Sequence, residues 1–119
     1  MTGLPWRVLV IDDVEDQRDL LAHLFTRAGC VVQVAAGTEE AQELLRAATP
    51  DIAVIDLLLG GDDNGWTAID ATRELAPSAK IIVTSVLDVA EFPEADARLP
   101  KPFTIAQVQA LVDGFRPAS

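Results

Sequence analysis

Residues 6–11 read Trp6-Arg7-Val8-Leu9-Val10-Ile11, and the acidic pair Asp12-Asp13 follows them directly. A short run of this kind, almost wholly apolar and rich in β-branched residues, is typical of a strand covered on both faces in a parallel sheet. The next stretch has apolar side chains at helical spacing from Leu20 to Ala28, and Gly29 stands where a helix is expected to end. A buried strand that leads into an amphipathic helix indicates an α/β fold.

The same alternation continues along the rest of the chain. Two further helices are expected to begin near Thr38, the predicted N-cap, and near Thr104, whose spacing to Gln107 matches a capping box. Because strands separated by helices favour right-handed crossovers, we predict a doubly wound five-stranded parallel sheet with helices on both faces. The remaining predicted strands are at 31–35, 51–55, 80–84 and 97–100, and another helix is predicted from about 66 to 76.

The composition limits the possible functions. The 119 residues suit one domain, and a formal net charge of −10 opposes binding to nucleic acid or anionic lipid, so we expect no direct nucleic acid binding. The single cysteine, Cys30, and the single histidine, His23, exclude an internal disulfide, a Cys/His zinc site and a Ser-His-Asp triad. The chain shows no signal pattern and no apolar run of membrane-spanning length. We therefore expect a cytoplasmic protein with no membrane insertion.

Three aspartates follow predicted strands. Asp12 and Asp13 come after the first strand and Asp56 after the third. Carboxyl ends of parallel strands share one edge of the sheet, where ligands bind in such folds, so we expect the three carboxylates to converge. Crowded like charges favour a hard divalent cation, and Mg²⁺ is the natural candidate. Each aspartate also has a simpler interpretation, since the first two can cap the following helix and Asp56 can be a turn residue.

The same edge should carry a hydroxyl and an ammonium group. Thr84 and Ser85 end the fourth strand, and Lys101-Pro102 follows the fifth. A carboxylate, a metal ion, a hydroxyl donor and an ammonium group together can hold a tetrahedral anion, and phosphoryl transfer depends mostly on such positioning and charge neutralisation. Asp56 would act as the nucleophile and form an acyl phosphate.

This ordered set of residues resembles the response-regulator receiver domain of two-component signalling, over residues 4–116, with 117–119 as a disordered tail. The resemblance implies that Asp56 is the phospho-acceptor. It further implies that Asp13, Asp56 and the backbone carbonyl of Leu58 bind Mg²⁺ directly, while Asp12 acts mainly through water. Thr84 would hydrogen-bond a phosphoryl oxygen in the active state.

The resemblance has further implications for the fold, the site and the partners. The strand order would be the flavodoxin-like order 2-1-3-4-5. Lys101 would pair with a second phosphoryl oxygen and form a cis bond to Pro102, and Ser85 would be the small residue that leaves Asp56 accessible. The phosphoryl donor would be a histidine kinase or a histidine phosphotransfer protein, with a downstream protein partner that the sequence does not identify.

The chain departs from the family pattern at three places. Gly60 stands where receivers usually carry proline, in a loop one residue longer than usual. Arg98 replaces the switch aromatic three positions before the lysine, and burial of an unpaired arginine is costly, so the usual coupling from threonine to aromatic is in doubt. Pro93 interrupts a short segment before the fifth strand, so we expect a fourth helix that is short or disordered.

Leu58 and Val86 stand at the two positions that flank the path of a hydrolytic water in the family. Both are apolar and offer no group to orient that water. We therefore predict slow self-dephosphorylation.

Three functions remain open from the sequence. The first is a stand-alone, phosphorylation-dependent signalling module. The second is a receiver-like interaction domain that works without phosphorylation; a conformational response to beryllofluoride with Mg²⁺ would favour the first. The third is a Mg²⁺-dependent phosphohydrolase, which would need a further acid/base group and a substrate cap that the chain has no segment to form. Turnover of phosphate esters beyond one equivalent would favour this third class.

Overall fold

A computed structural model describes residues 5–61 and 63–115. The predicted strands and helices are all present within these residues. The strands are β1 (Arg7–Ile11), β2 (Val31–Ala35), β3 (Ile52–Asp56), β4 (Lys80–Ser85) and β5 (Ala97–Pro100). The α-helices are α1 (Glu15–Arg27), α2 (Thr38–Ala47), α3 (Gly65–Leu75) and α4 (Ile105–Phe115).

The five strands form one parallel sheet in the order β2-β1-β3-β4-β5, which confirms the predicted doubly wound topology. The register aligns the ends of the strands. Ile11 pairs with Ile55, and Asp56 pairs with Thr84, which in turn pairs with Leu99. The residues that follow β1 and β3, and the last residues of β4, therefore meet at one edge of the sheet.

Both faces of the sheet are covered, as the apolar strand sequences predict. Successive side chains of β1 alternate between two separate hydrophobic clusters, with Leu9 and Ile11 in one and Val8 and Val10 in the other. The central strand β3 is buried along its whole length. The sheet is therefore a rigid base for the residues at its edge.

The segment between β4 and β5 contains a single 3₁₀ turn, Val89–Glu91, in place of a full helix. This confirms the prediction that the fourth helix would be short. Pro93 has no backbone N–H to donate to a helix. Further along the segment, the carboxylate of Asp96 accepts from the N–H of Ile81 on β4 at 2.7 Å and holds the chain there. Phe92 is buried in the core and holds the shortened segment against the sheet.

One predicted helix cap is wrong and one is confirmed. Thr38 does not cap α2, because it is the first helical residue and the N-cap is Gly37, which has no side chain to offer. The carboxylate of Asp63 accepts from Thr38 instead, through both its N–H and its hydroxyl. At α4, the side chain of Gln107 accepts from the N–H of Thr104 at 2.7 Å, which confirms the predicted capping box.

Two observations concern the periphery of the domain. Leu20, the first of the apolar side chains at helical spacing in α1, is 50% exposed. The outer limits of the predicted domain, residues 4 and 116, and the predicted tail, 117–119, lie outside the described residues.

Within the described part of the chain, no helix combines the length and apolar character needed to cross a membrane.

Candidate functional site

The edge at the carboxyl ends of the strands gathers most of the predicted residues. Asp12 follows β1, Asp56 ends β3, Thr84 and Ser85 end β4, and Lys101 follows β5. The first four of these residues are almost completely buried, although each carries a polar side chain. Buried polar groups need compensation, so their interactions define the site.

The ammonium group of Lys101 lies between the two buried carboxylates. Its Nζ atom is 2.7 Å from Oδ2 of Asp56 and 3.6 Å from Oδ2 of Asp12. It also donates to the side-chain oxygen of Gln17 on the first turn of α1. One positive charge thus partly neutralises two negative charges, which leaves the cluster with a net negative charge.

Of the two buried carboxylates, that of Asp12 has fewer hydrogen-bond partners. Its Oδ1 atom accepts from the N–H of Val14 at 2.9 Å, but its Oδ2 atom has no hydrogen-bond partner among the described residues. Burial raises the pKa of Asp12, and the negative charge of Asp56 adds to the increase, whereas the Val14 N–H and Lys101 oppose it. A buried, unsatisfied carboxylate oxygen at a ligand-binding edge is the kind of group that a cation satisfies.

Asp13 differs from the other two aspartates in being exposed, and the convergence of the three carboxylates stays a prediction. Asp13 is exposed, and its Oδ2 atom lies so close to Gly60 that a Cβ there would be 2.5 Å from it. Across residues 5–61 and 63–115, no group of three acidic, histidine or cysteine side chains is arranged to hold a metal ion.

Asp56 has both carboxylate oxygens engaged. Oδ2 accepts from Lys101, and Oδ1 accepts from the backbone N–H of Leu58 at 2.8 Å. The second contact ties the carboxylate to the loop that follows β3. A carboxylate held in this way is oriented and partly neutralised, which suits a nucleophile.

The hydroxyl groups at the end of β4 have backbone partners. Thr84 donates from Oγ1 to the carbonyl oxygen of Leu99 on β5 at 2.8 Å. Oγ of Ser85 accepts from the N–H of Leu87 at 3.2 Å. The hydroxyl of Thr84 therefore links β4 to β5 here, rather than contacting Asp56.

The remaining predicted residues surround this centre. The peptide bond between Lys101 and Pro102 is cis, as predicted. Leu58 is 47% exposed and Val86 is 68% exposed, so apolar side chains stand in solvent at both positions. Arg98 is exposed on β5, which agrees with the expectation that it cannot take the buried position of an aromatic ring.

Two residues of this region are not among those predicted from the sequence. Gln17 contacts Lys101, and it could have been found because α1 begins directly after the acidic pair, so its first-turn polar residues return to the same edge. Asp63 contacts Thr38 at the start of α2, 25 residues earlier in the chain. No local sequence pattern predicts a contact over that separation.

The residues present fit a hard divalent cation. The available groups are oxygen donors: the carboxylates of Asp12, Asp13 and Asp56 and the carbonyl of Leu58. The unsatisfied Oδ2 atom of Asp12 and the excess negative charge around Lys101 both favour a bound cation.

Comparisons with known proteins agree with this geometry. The family model described as the response regulator receiver domain matches residues 8–113. The chemotaxis protein CheY of Thermotoga maritima is 35% identical over 109 residues, which cover 86% of this chain and 90% of that protein.

Solved structures give the same result. A response regulator protein from Burkholderia pseudomallei, with a phosphorylated aspartic acid, a calcium ion and citrate, is 29% identical with a TM-score of 0.75 and covers 95% of this chain and 76% of its own. A response regulator receiver protein from Sinorhizobium medicae is 27% identical with a TM-score of 0.82 and covers 93% of this chain and 94% of its own. With its sheet order, its buried acidic edge and these matches, the chain belongs to the response-regulator receiver domain family.

Proposed function

We propose that this receiver domain accepts one phosphoryl group on Asp56, with Mg²⁺, and changes its protein contacts as a result. The donor would be a histidine kinase or a histidine phosphotransfer protein in the cytoplasm. The observation that carries the proposal is the Lys101 ammonium, which lies 2.7 Å from Asp56 and 3.6 Å from Asp12 inside a buried acidic cluster. Such a cluster can accommodate an added phosphoryl group only if cationic charge is already in place.

The chemistry requires few protein groups. A carboxylate oxygen of Asp56 attacks the phosphorus atom, the bond from phosphorus to the donor atom breaks, and the donor leaves with that electron pair. Lys101 exchanges its partner, from the Asp56 carboxylate to an oxygen of the new acyl phosphate. The N–H of Leu58, already bonded to Oδ1, keeps the carboxylate oriented during the attack.

Asp13, Asp56 and the carbonyl of Leu58 would hold Mg²⁺ directly, and Asp12 would act through water. When bound, Mg²⁺ would neutralise the charge that develops on the phosphoryl oxygens. The solved relative from Burkholderia pseudomallei contains a calcium ion together with its phosphorylated aspartic acid, which supports a divalent cation here.

The change of state would begin at Thr84. Its hydroxyl now donates to the carbonyl of Leu99 on β5, so a turn toward a phosphoryl oxygen would break a link between β4 and β5. Arg98 next to Leu99 is already exposed and needs no burial to respond. The signal would therefore pass through the backbone of β5 and the shortened segment before it, rather than through an aromatic ring.

The decisive test is phosphorylation by acetyl phosphate with Mg²⁺, followed by intact-mass and peptide mass spectrometry. We expect a single added phosphoryl group, located on Asp56 and absent from the Asp56→Asn variant. Asp70→Asn, an exposed aspartate on α3, is the matched control and should be modified normally. Modification of the Asp56→Asn variant to the same extent as the wild type would contradict the proposal.

Leu58→Asn should accelerate loss of the phosphoryl group. Leu58 is half exposed beside Asp56 and offers no hydrogen bond, whereas an amide could orient an attacking water. General acid–base groups contribute about 10²–10⁴-fold, so an amide that only orients water should give on the order of tenfold. The decay of the phosphorylated protein, followed by mass spectrometry after donor removal, measures the effect. Leu58→Met keeps the position apolar and should leave the rate unchanged; equal rates in all three proteins would refute the prediction.

A further inference from the structure

The loop after the phospho-acceptor is fastened to a helix that the site does not otherwise use. Oδ2 of Asp63 accepts from the backbone N–H of Thr38 at 2.7 Å. Oδ1 accepts from the hydroxyl of Thr38 at 2.6 Å and from the N–H of Asn64 at 2.9 Å. Burial alone would raise the pKa of Asp63, but these hydrogen bonds outweigh it and lower the pKa below its usual value. The carboxylate is therefore firmly bound.

The start of α2 has the complementary features. Its N-cap, Gly37, supplies no side-chain acceptor, and a Cβ at this position would lie 2.8 Å from Oδ2 of Asp63. Thr38 is buried at 8% exposure, where its hydroxyl requires a partner. The helix thus obtains its capping acceptor from a loop 25 residues further along the chain, and glycine at position 37 leaves room for it.

The other end of the loop is fixed against the phospho-acceptor. The N–H of Gly65 donates to the carbonyl of Leu57 at 3.0 Å, and a side chain on Gly65 would collide with the backbone of Asp56 and Leu57. Between these anchors lie Gly60 and Gly61, and Gly61 has a left-handed φ of 67°. Two adjacent glycines would leave this stretch highly flexible if nothing held its far end.

The fastened loop carries one group of the proposed site and contacts another. Leu58 donates to Asp56 and would offer its carbonyl to Mg²⁺, and Gly60 lies against the carboxylate of Asp13. The N–H of Asp63 also donates to the carbonyl of Gly60, at 3.3 Å. Movement of Asp63 would therefore reach both groups through a short piece of backbone.

We propose that Asp63 is a positioning residue for the phosphorylation site, which ties the loop to α2 and so holds Leu58 and Gly60 in place for cation binding. The inference rests on the proposed function. A proline at position 60 would make the loop rigid. In this chain, the hydrogen bonds of Asp63 at the end of the loop serve that purpose instead. Outer contacts that orient metal ligands typically change metal affinity by about 10–100-fold.

A merely structural role for Asp63 would be the capping of α2. The two roles can be separated because Gly37 has an extended backbone, with φ −174° and ψ −173°, as an ordinary N-cap residue has. Once the carboxylate of Asp63 is removed, Gly37→Asn can supply a local cap. This double variant restores the helix cap but not the connection to the loop.

The experiment measures Mg²⁺ affinity by calorimetric titration of the full chain, thermal stability, and hydrogen exchange of amides 57–61 without metal. Asp63→Ala should bind Mg²⁺ about tenfold more weakly and exchange faster in the loop. Asp63→Asn, which keeps one of the two acceptor oxygens, should recover part of the affinity. Asp63→Ala with Gly37→Asn should recover stability while Mg²⁺ affinity stays low and loop exchange stays fast.

Two results would overturn the inference. The first is Mg²⁺ affinity that returns with stability in the double variant, since capping alone would then explain the effect. The second is unchanged Mg²⁺ affinity in Asp63→Ala. A wild-type chain that binds no Mg²⁺ and accepts no phosphoryl group would instead refute the proposed function itself, and the inference with it. If Asp63→Ala alone does not fold, the double variant and Thr38→Val, which removes only the hydroxyl bond, provide the same comparison.

Discussion

Lys101→Met should lower the free energy of unfolding of the metal-free protein by about 3–5 kcal/mol at neutral pH, because removal of one partner from a buried ion pair leaves an uncompensated charge. The side chain of Lys101 is 12% exposed, and its partners Asp12 and Asp56 are 0% and 5% exposed. Methionine keeps most of the apolar stem, which lines a groove with Leu20 and Phe103, so the loss should come from the charge. Urea unfolding followed by circular dichroism measures it.

The pH dependence identifies the cause of this loss. Lys101 lowers the pKa of Asp12, which burial and the charge of Asp56 raise, so its removal should raise that pKa further. Protonation then relieves the repulsion, and the stability deficit of the variant should shrink as the pH falls toward 4. Added Mg²⁺ should also recover part of it. Lys80→Met, at the exposed start of β4, is the matched control and should change stability little; a Lys101→Met deficit that is the same at pH 4 and pH 7 would indicate lost packing instead.

The position of the site could be predicted because it depends on backbone topology. Apolar strand sequences define where each strand ends, and parallel pairing brings those ends to one edge. Asp56 and Thr84 therefore lie in register, and Asp12 and Lys101 lie within reach of each other. The short fourth helix could also be predicted from the sequence, because Pro93 interrupts helix formation in that segment.

Side-chain directions and distant contacts could not be predicted in the same way. Asp13 occupies its predicted place in the chain, but its side chain is exposed and lies close to Gly60, a contact that strand order does not determine. The hydroxyl of Thr84 donates to the carbonyl of Leu99 on β5, a side-chain contact that strand order does not determine. Asp63 replaces the predicted cap of α2 from a loop far along the chain, where periodicity carries no information.

Asp12→Asn should have opposite effects on stability and on metal binding. Asp12 is completely buried, and its Oδ2 atom has no hydrogen-bond partner within the described residues. The amide keeps an oxygen for the N–H of Val14 and removes a negative charge beside Asp56, so the metal-free variant should be more stable at neutral pH. Its Mg²⁺ affinity should fall by on the order of 10–100-fold, because a group that orders the metal's water ligands has lost its charge.

The direction of the pH dependence follows from the linkage between proton binding and folding. The folded pKa of Asp12 is raised above its ordinary value of 3.8, so the folded state binds more protons than the unfolded state between these two values. The stability of the wild-type protein should therefore fall relative to the variant as the pH rises above about 4, and the difference should become constant once the folded carboxyl is fully ionised. Urea unfolding across this range, with and without Mg²⁺, tests both effects.

Addition of Mg²⁺ should reverse the order of stability of the wild-type protein and the Asp12→Asn variant. Without metal, the wild-type protein contains the repulsion between Asp12 and Asp56, which Lys101 only partly offsets. With saturating Mg²⁺, binding to the folded state alone stabilises it by RT ln(1 + [L]/Kd), a gain that the weaker-binding variant largely lacks. A variant that is less stable than wild type in both conditions would show that Asp12 is retained for the fold. A crossing of the two would show that its buried charge is kept for the cation.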